Sequence, residues 1–154
     1  MSEFAVLFVC LGNICRSPLA EGALRLAAQE AGLDIRVDSA GTGDWHVGTP
    51  PDPRAIATAK RHGVDISGLR ARQVSGADFS RFSHIFALDA QNMLALERLA
   101  PEGAPARVRL LMDCVPGREG EAVKDPYYGS EEGFEVTWCD VSAAAKALVA
   151  RFSG

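Results

Sequence analysis

A thiol and a guanidinium stand six positions apart near the start of the chain, in Cys10-Leu11-Gly12-Asn13-Ile14-Cys15-Arg16-Ser17. The spacing alone carries little, because four cysteines and many arginines make such a coincidence common. Its surroundings make it chemical. An apolar run precedes it and Ser17-Pro18, a helix opening, follows it. Backbone N–H groups in a tight loop ahead of a helix can cradle an oxyanion, and the helix N-terminus adds partial positive charge. Arg16 can close the ring with a planar fork that grips two phosphate oxygens. Cys10 begins the loop, where the same charges favour a thiolate. That thiolate can attack phosphorus and form a phosphocysteine with no metal or cofactor required. Gly12 permits a left-handed or otherwise strained backbone. Asn13 tolerates the left-handed region and can brace the loop with its amide. Ser17 can hydrogen-bond the Cys10 sulfur while capping the helix. Singly these are a buried cysteine, a turn glycine, a cap serine and a surface arginine. In this order they form a candidate phosphate site.

The flanking elements must hold that loop. Phe4 to Val9 is a short continuous apolar run, as in a strand buried on both faces of a parallel sheet. A helix from Ser17-Pro18 stops at Gly32, with Leu19, Ala23, Leu26 and Ala27 on one face. Ile35 to Ser39 alternates as a second strand. A Gly- and Pro-rich loop over 41–51 leads to Asp52-Pro53, which caps and starts a helix ending at Gly63. Ser75 is a candidate cap for a short helix through Phe82. Ile85 to Leu88 is a third strand, 90–99 a helix, and Val108 to Met112 a fourth strand. Residues 115–129 read as loop. Phe134, Trp138, Val141, Ala145, Leu148 and Phe152 form one stripe of a final helix. Strands alternating with helices predict an α/β fold: one domain over 1–154, a three-layer α/β/α arrangement around a four-stranded parallel sheet, doubly wound and flavodoxin-like. In such sheets ligands sit at the carboxyl ends of the strands, which is where the loop after the first strand falls.

Composition narrows the function classes. The 154 residues are 47% hydrophobic and 23% charged, in the globular range. A formal net charge of -4 argues against nucleic acid as partner. No segment approaches a membrane span, and Phe4 to Leu11 lacks the basic flank of a signal peptide, so a cytoplasmic location is expected. Three scattered histidines and no Cys-x-x-Cys give no support to zinc. Cys114 and Cys139 read as structural thiols.

The sequence resembles the low-molecular-weight protein tyrosine phosphatases. The likeness rests on Val9 to Pro18, on Asp38-Ser39-Ala40-Gly41-Thr42 and on Asp125-Pro126-Tyr127-Tyr128-Gly129, with the cysteine loop first and the acid loop near the C-terminus. The resemblance implies metal-free hydrolysis of phosphotyrosine, with Cys10 as nucleophile, Arg16 as oxyanion ligand and Asp125 as the acid that protonates the leaving phenolate, then activates water. It implies bracing by Asn13, Ser17 and Ser39. It implies a substrate slot from the loop itself, residues Leu11, Gly12, Asn13, Ile14 and Cys15, with walls from Trp45, Tyr127 and Tyr128. Cys15 is the implied redox partner of Cys10. The implied partner is a phosphotyrosine-bearing protein, a tyrosine kinase among the candidates, met by a monomer.

Two features bear on that assignment. Asp52-Pro53 is a second Asp-Pro pair, but it opens a helix, whereas Asp125-Pro126 sits in a loop. Some relatives carry a histidine near Leu69 that supports the loop asparagine; here Leu69 and Arg70 stand there. Three alternatives accompany the main reading. An arsenate reductase needs resolving cysteines close together, and Cys114 and Cys139 are far apart. A phosphoarginine phosphatase carries threonine where Ile14 stands. A non-catalytic oxyanion-binding module needs neither nucleophile nor acid.

Overall fold

The structure, a computed structural model, describes residues 4–153. Its elements are β1 (Ala5–Cys10), α1 (Arg16–Ala31), β2 (Arg36–Gly41), α2 (Pro53–Arg61), α3 (Asp78–Arg81), β3 (His84–Ala87), α4 (Ala90–Leu99), β4 (Arg107–Leu110) and α5 (Glu131–Ser153). The four strands are parallel in the order β2-β1-β3-β4, the doubly wound order expected. Because β1 is central, its side chains alternate between two buried faces. Val6 and Phe8 meet α1, α2 and α5, whereas Leu7 and Val9 meet α3 and α4. Both faces are covered, so β1 reads as an unbroken apolar run. Among the described residues, no helix is long and apolar enough to cross a membrane.

Three expectations are corrected. The fourth strand is Arg107–Leu110 rather than Val108 to Met112, and Leu111–Cys114 is a 3-10 turn. Leu111 and Met112 are apolar because they are buried beyond the sheet's end. The helix assigned to Ser75 is shorter, with Ala77 at its N-cap and no side-chain cap. The Ser75 N–H instead donates to Asp78 Oδ2 at 2.9 Å. Ser17 does not cap α1. Cys15 occupies that position without a side-chain cap, and Ser17 lies inside the first turn. Asp52 does cap α2, accepting from the Arg54 N–H at 2.8 Å. The stripe on α5 is buried from Phe134 to Leu148. Phe152 is half-buried and stacks on Phe4 with 4.1 Å between ring centroids.

Candidate active site

β1 delivers Cys10 to the carboxyl edge of the sheet, and the chain turns through 11–15 into α1. Asn13 makes that turn possible: its φ of 57° is left-handed, where asparagine is tolerated. Gly12 is not left-handed. It is small for another reason, since a Cβ there would meet His46 Cδ2 at 3.0 Å. Gly41 ends β2 against the loop, where a Cβ would lie 2.8 Å from the Leu11 carbonyl oxygen. That proximity lets Thr42 and Gly43 donate to the Cys10 and Leu11 carbonyls at 2.9 and 3.0 Å.

Asn13 is the junction of a buried network. Its Nδ2 donates to Ser17 Oγ at 2.8 Å and Ser39 Oγ at 3.0 Å. Ser17 Oγ lies 2.9 Å from Cys10 Sγ. Since Ser17 accepts from Asn13, its own proton is available to the sulfur, an arrangement suited to a thiolate. The Asn13 N–H also faces that sulfur at 3.3 Å. The Ser39 hydroxyl donates to Glu21 Oε1 at 2.7 Å. On the other side, the Arg72 N–H donates to Asn13 Oδ1 at 3.0 Å, and the Arg72 guanidinium is held by Asp38 and Asp78. The Arg72 backbone N–H thus supports the loop asparagine. Leu69 packs against the core and Arg70 is exposed.

Glu21 is a buried carboxyl whose Oε2 lies 2.5 Å from half-exposed Arg25 yet accepts no hydrogen bond. Without that geometry the ion pair does not offset desolvation, and burial pushes Glu21 up to about 7.

Arg16 is 4% exposed and fixed from behind. Its Nη1 donates to Asp89 Oδ2 at 2.7 Å and to the Val123 carbonyl at 3.1 Å, and Nη2 stands 3.8 Å from Asp125 Oδ2. Burial opposes its charge, but Cys10, Asp89 and Asp125 outweigh it and hold its pKa above the ordinary value. Asp89 serves twice, since its Oδ1 also caps α4 through the Asn92 N–H at 2.8 Å. The N–H groups of Gly12, Ile14 and Cys15 have no acceptor among the described residues. With the first amides of α1 they can receive an oxyanion.

Cys10, Leu11, Gly12, Ile14, Cys15, Arg16, Trp45, His46, Asp125, Tyr127 and Tyr128 line one cleft of about 320 Å³. Leu11, Trp45, Tyr127 and Tyr128 are exposed along it, Tyr128 almost fully. Asn13, Ser17 and Ser39 lie behind the cleft as braces. Asp125 is half-exposed and accepts from the Tyr127 N–H at 3.1 Å. Asp52 lies below this loop in another role. Its hydrogen bonds to Arg54 hold it below the usual carboxylate range. Arg54 in turn donates to the Tyr127 and Gly129 carbonyls at 2.9 and 3.1 Å. Burial, then Asp52, Cys10 and Asp125, push the Cys15 thiol well above its ordinary value. Cys114 is buried, but Cys139 is exposed and so no packing thiol.

Residues 5–153 match the family model for low molecular weight phosphotyrosine protein phosphatase. The chain is 46% identical over 152 residues to the low molecular weight protein-tyrosine-phosphatase of Streptomyces coelicolor, covering 96% of this chain and 92% of that one. The crystal structure of Primo-1 superposes with a TM-score of 0.92 at 40% identity, covering 98% of this chain and 99% of that one. The crystal structure of a Drosophila arginine phosphatase superposes with a TM-score of 0.91 at 33% identity, covering 97% and 98%.

Proposed function

The chain belongs to the low-molecular-weight phosphotyrosine protein phosphatase family, and on that premise we propose a metal-free double displacement carried out by Cys10, Arg16 and Asp125 within one domain spanning 1–154. The Cys10 thiolate attacks phosphorus, forming an S–P bond as the bond to the tyrosine oxygen breaks. Asp125 gives its proton to the departing phenolate. Arg16 and the loop amides bear the charge on the phosphoryl oxygens. Water, deprotonated by Asp125, then attacks phosphorus, releasing phosphate and restoring Cys10.

The observation that carries this reading is buried Arg16, fixed by Asp89 beside a Cys10 sulfur that faces the Ser17 hydroxyl. Asp125 is a better acid candidate than Asp52, whose carboxylate is occupied by Arg54 and held below the usual range. Ile14 and the aromatic side chains of the cleft favour an aromatic leaving group over a guanidino phosphate. The substrate is accordingly a protein carrying phosphotyrosine, with a tyrosine kinase among the candidates.

The test is release of phosphate from a phosphotyrosyl peptide and from phosphoarginine, in excess EDTA, by wild type and Cys10→Ser. Turnover of the tyrosyl peptide by wild type alone supports the reading. Preference for phosphoarginine contradicts the substrate, and activity surviving in Cys10→Ser contradicts the mechanism.

A further inference from the structure

At the opposite pole of the molecule a second cleft gathers positive charge. The strands are parallel, so their N-terminal ends share one edge of the sheet, away from Cys10. At that edge Arg36 opens β2, His84 opens β3 and Arg107 opens β4, with His84 in register with Arg107. Arg81, from the end of α3, and Arg151, from the last turn of α5, complete the ring around a cleft of about 820 Å³. Four guanidinium groups, one each from β2, α3, β4 and α5, gather here. Elsewhere Arg16, Arg25, Arg54, Arg61, Arg72 and Arg118 each meet a carboxylate, and Arg70, Arg98 and Arg109, which meet none among the described residues, do not line this cleft. Among the described residues, none of Arg36, Arg81, Arg107 and Arg151 lies within ion-pair distance of one.

The cluster opposes the chain's net charge of -4. Its field reaches His84, which burial, then Arg107, Arg109 and Arg151, hold below the ordinary imidazole value. Part of the wall is pre-set: the Arg36 guanidinium lies 4.8 Å above the Phe82 ring and donates to the Arg81 carbonyl at 3.3 Å. Phe82 and Phe152 add apolar surface beside it.

We propose that this cleft binds a linear chain of phosphates, as found in inorganic polyphosphate or a nucleoside triphosphate. Guanidinium forks match phosphate oxygens in pairs. Arginines spread around so wide a cleft suit a ligand with several separated charges better than a single phosphate. The site is independent of the catalytic reading, since it shares no residue with the Cys10 cleft.

The test is an amide NMR titration of the full chain with sodium tripolyphosphate, ATP and orthophosphate, repeated on Arg81→Ala/Arg107→Ala. Tripolyphosphate is expected to shift the amides of Phe82, His84 and Phe152 saturably, and more tightly than orthophosphate does. The double variant is expected to bind at least about tenfold more weakly, with unchanged phosphatase turnover reporting an intact fold. ATP shifting the same amides supports recognition of the phosphates, whereas binding by ATP but not tripolyphosphate overturns it. Shifts confined to Gly12–Arg16, or equal affinity in wild type and double variant, overturn the site itself.

Discussion

Asn13→Ala is the substitution that reaches furthest into the active site without touching substrate chemistry. The side chain donates to Ser17 and Ser39 and accepts from the Arg72 N–H, and it sits at φ 57°. Two buried hydrogen bonds and one part-buried one contribute about 1 kcal/mol each. Alanine in a left-handed conformation adds about 1 kcal/mol of strain. The expected loss is therefore about 4 kcal/mol, a large part of the roughly 5–15 kcal/mol that keeps a domain folded. Urea denaturation followed by circular dichroism measures it. Turnover should fall as well, because Ser17 loses the partner that orients its proton toward Cys10. A variant within about 1 kcal/mol of wild type, with normal turnover, would refute the view that Asn13 holds the loop in shape.

Three other perturbations follow. Asp125→Ala is expected to lower turnover about 10²- to 10⁴-fold, increasingly so for aryl phosphates with poor leaving groups. Asp52→Ala, which removes the α2 cap and releases Arg54 from beside the acid loop, is expected to cost turnover less than about tenfold with no dependence on the leaving group; equal losses from both would discard the assignment. Glu21 has its folded pKa raised to about 7 from an ordinary 4.5. The folded state therefore holds that proton more tightly. Its contribution is full below the unfolded value and is lost as pH rises through about 7, a change on the order of 3 kcal/mol. Glu21→Gln should remove this slope, and urea midpoints whose pH dependence matches wild type would count against it. For Cys15, peroxide inactivation of wild type is expected to reverse with thiol reductant and that of Cys15→Ser to reverse less; matching recovery curves would exclude a protective role.

What the sequence could disclose was local. Cys10, Asn13, Arg16 and Ser17 lie within eight residues, so one loop carried their relation, and asparagine is among the few residues suited to φ 57°. The buried parallel strands were legible because covered faces leave continuous apolar runs. Ser39 enters through the family resemblance, but the supports of Arg16 and the Arg72 contact are not legible, since they come from far along the chain. Asp89 and Val123 meet Arg16 across 73 and 107 positions, and Arg72 meets Asn13 across 59. Asp89 also resembles any helix cap, which hides its second partner. Ser17 before a proline has the pattern of a cap, but the Cys10 sulfur and Asn13 amide claim its hydroxyl. The end of the fourth strand is hidden in the sequence because Leu111 and Met112 are as apolar as strand residues but are buried past the sheet.

The central claim is that phosphate passes through Cys10. The most direct measurement is mass spectrometry of the Cys10-containing peptide after rapid acid quench during turnover of an aryl phosphate in EDTA. Slowing breakdown of the intermediate with Asp125→Ala should help it accumulate. A phosphoryl group on Cys10, absent in Cys10→Ser, is the predicted result. Turnover that continues with no phosphorylated peptide at any quench time, or a phosphoryl group on another residue, would contradict the account.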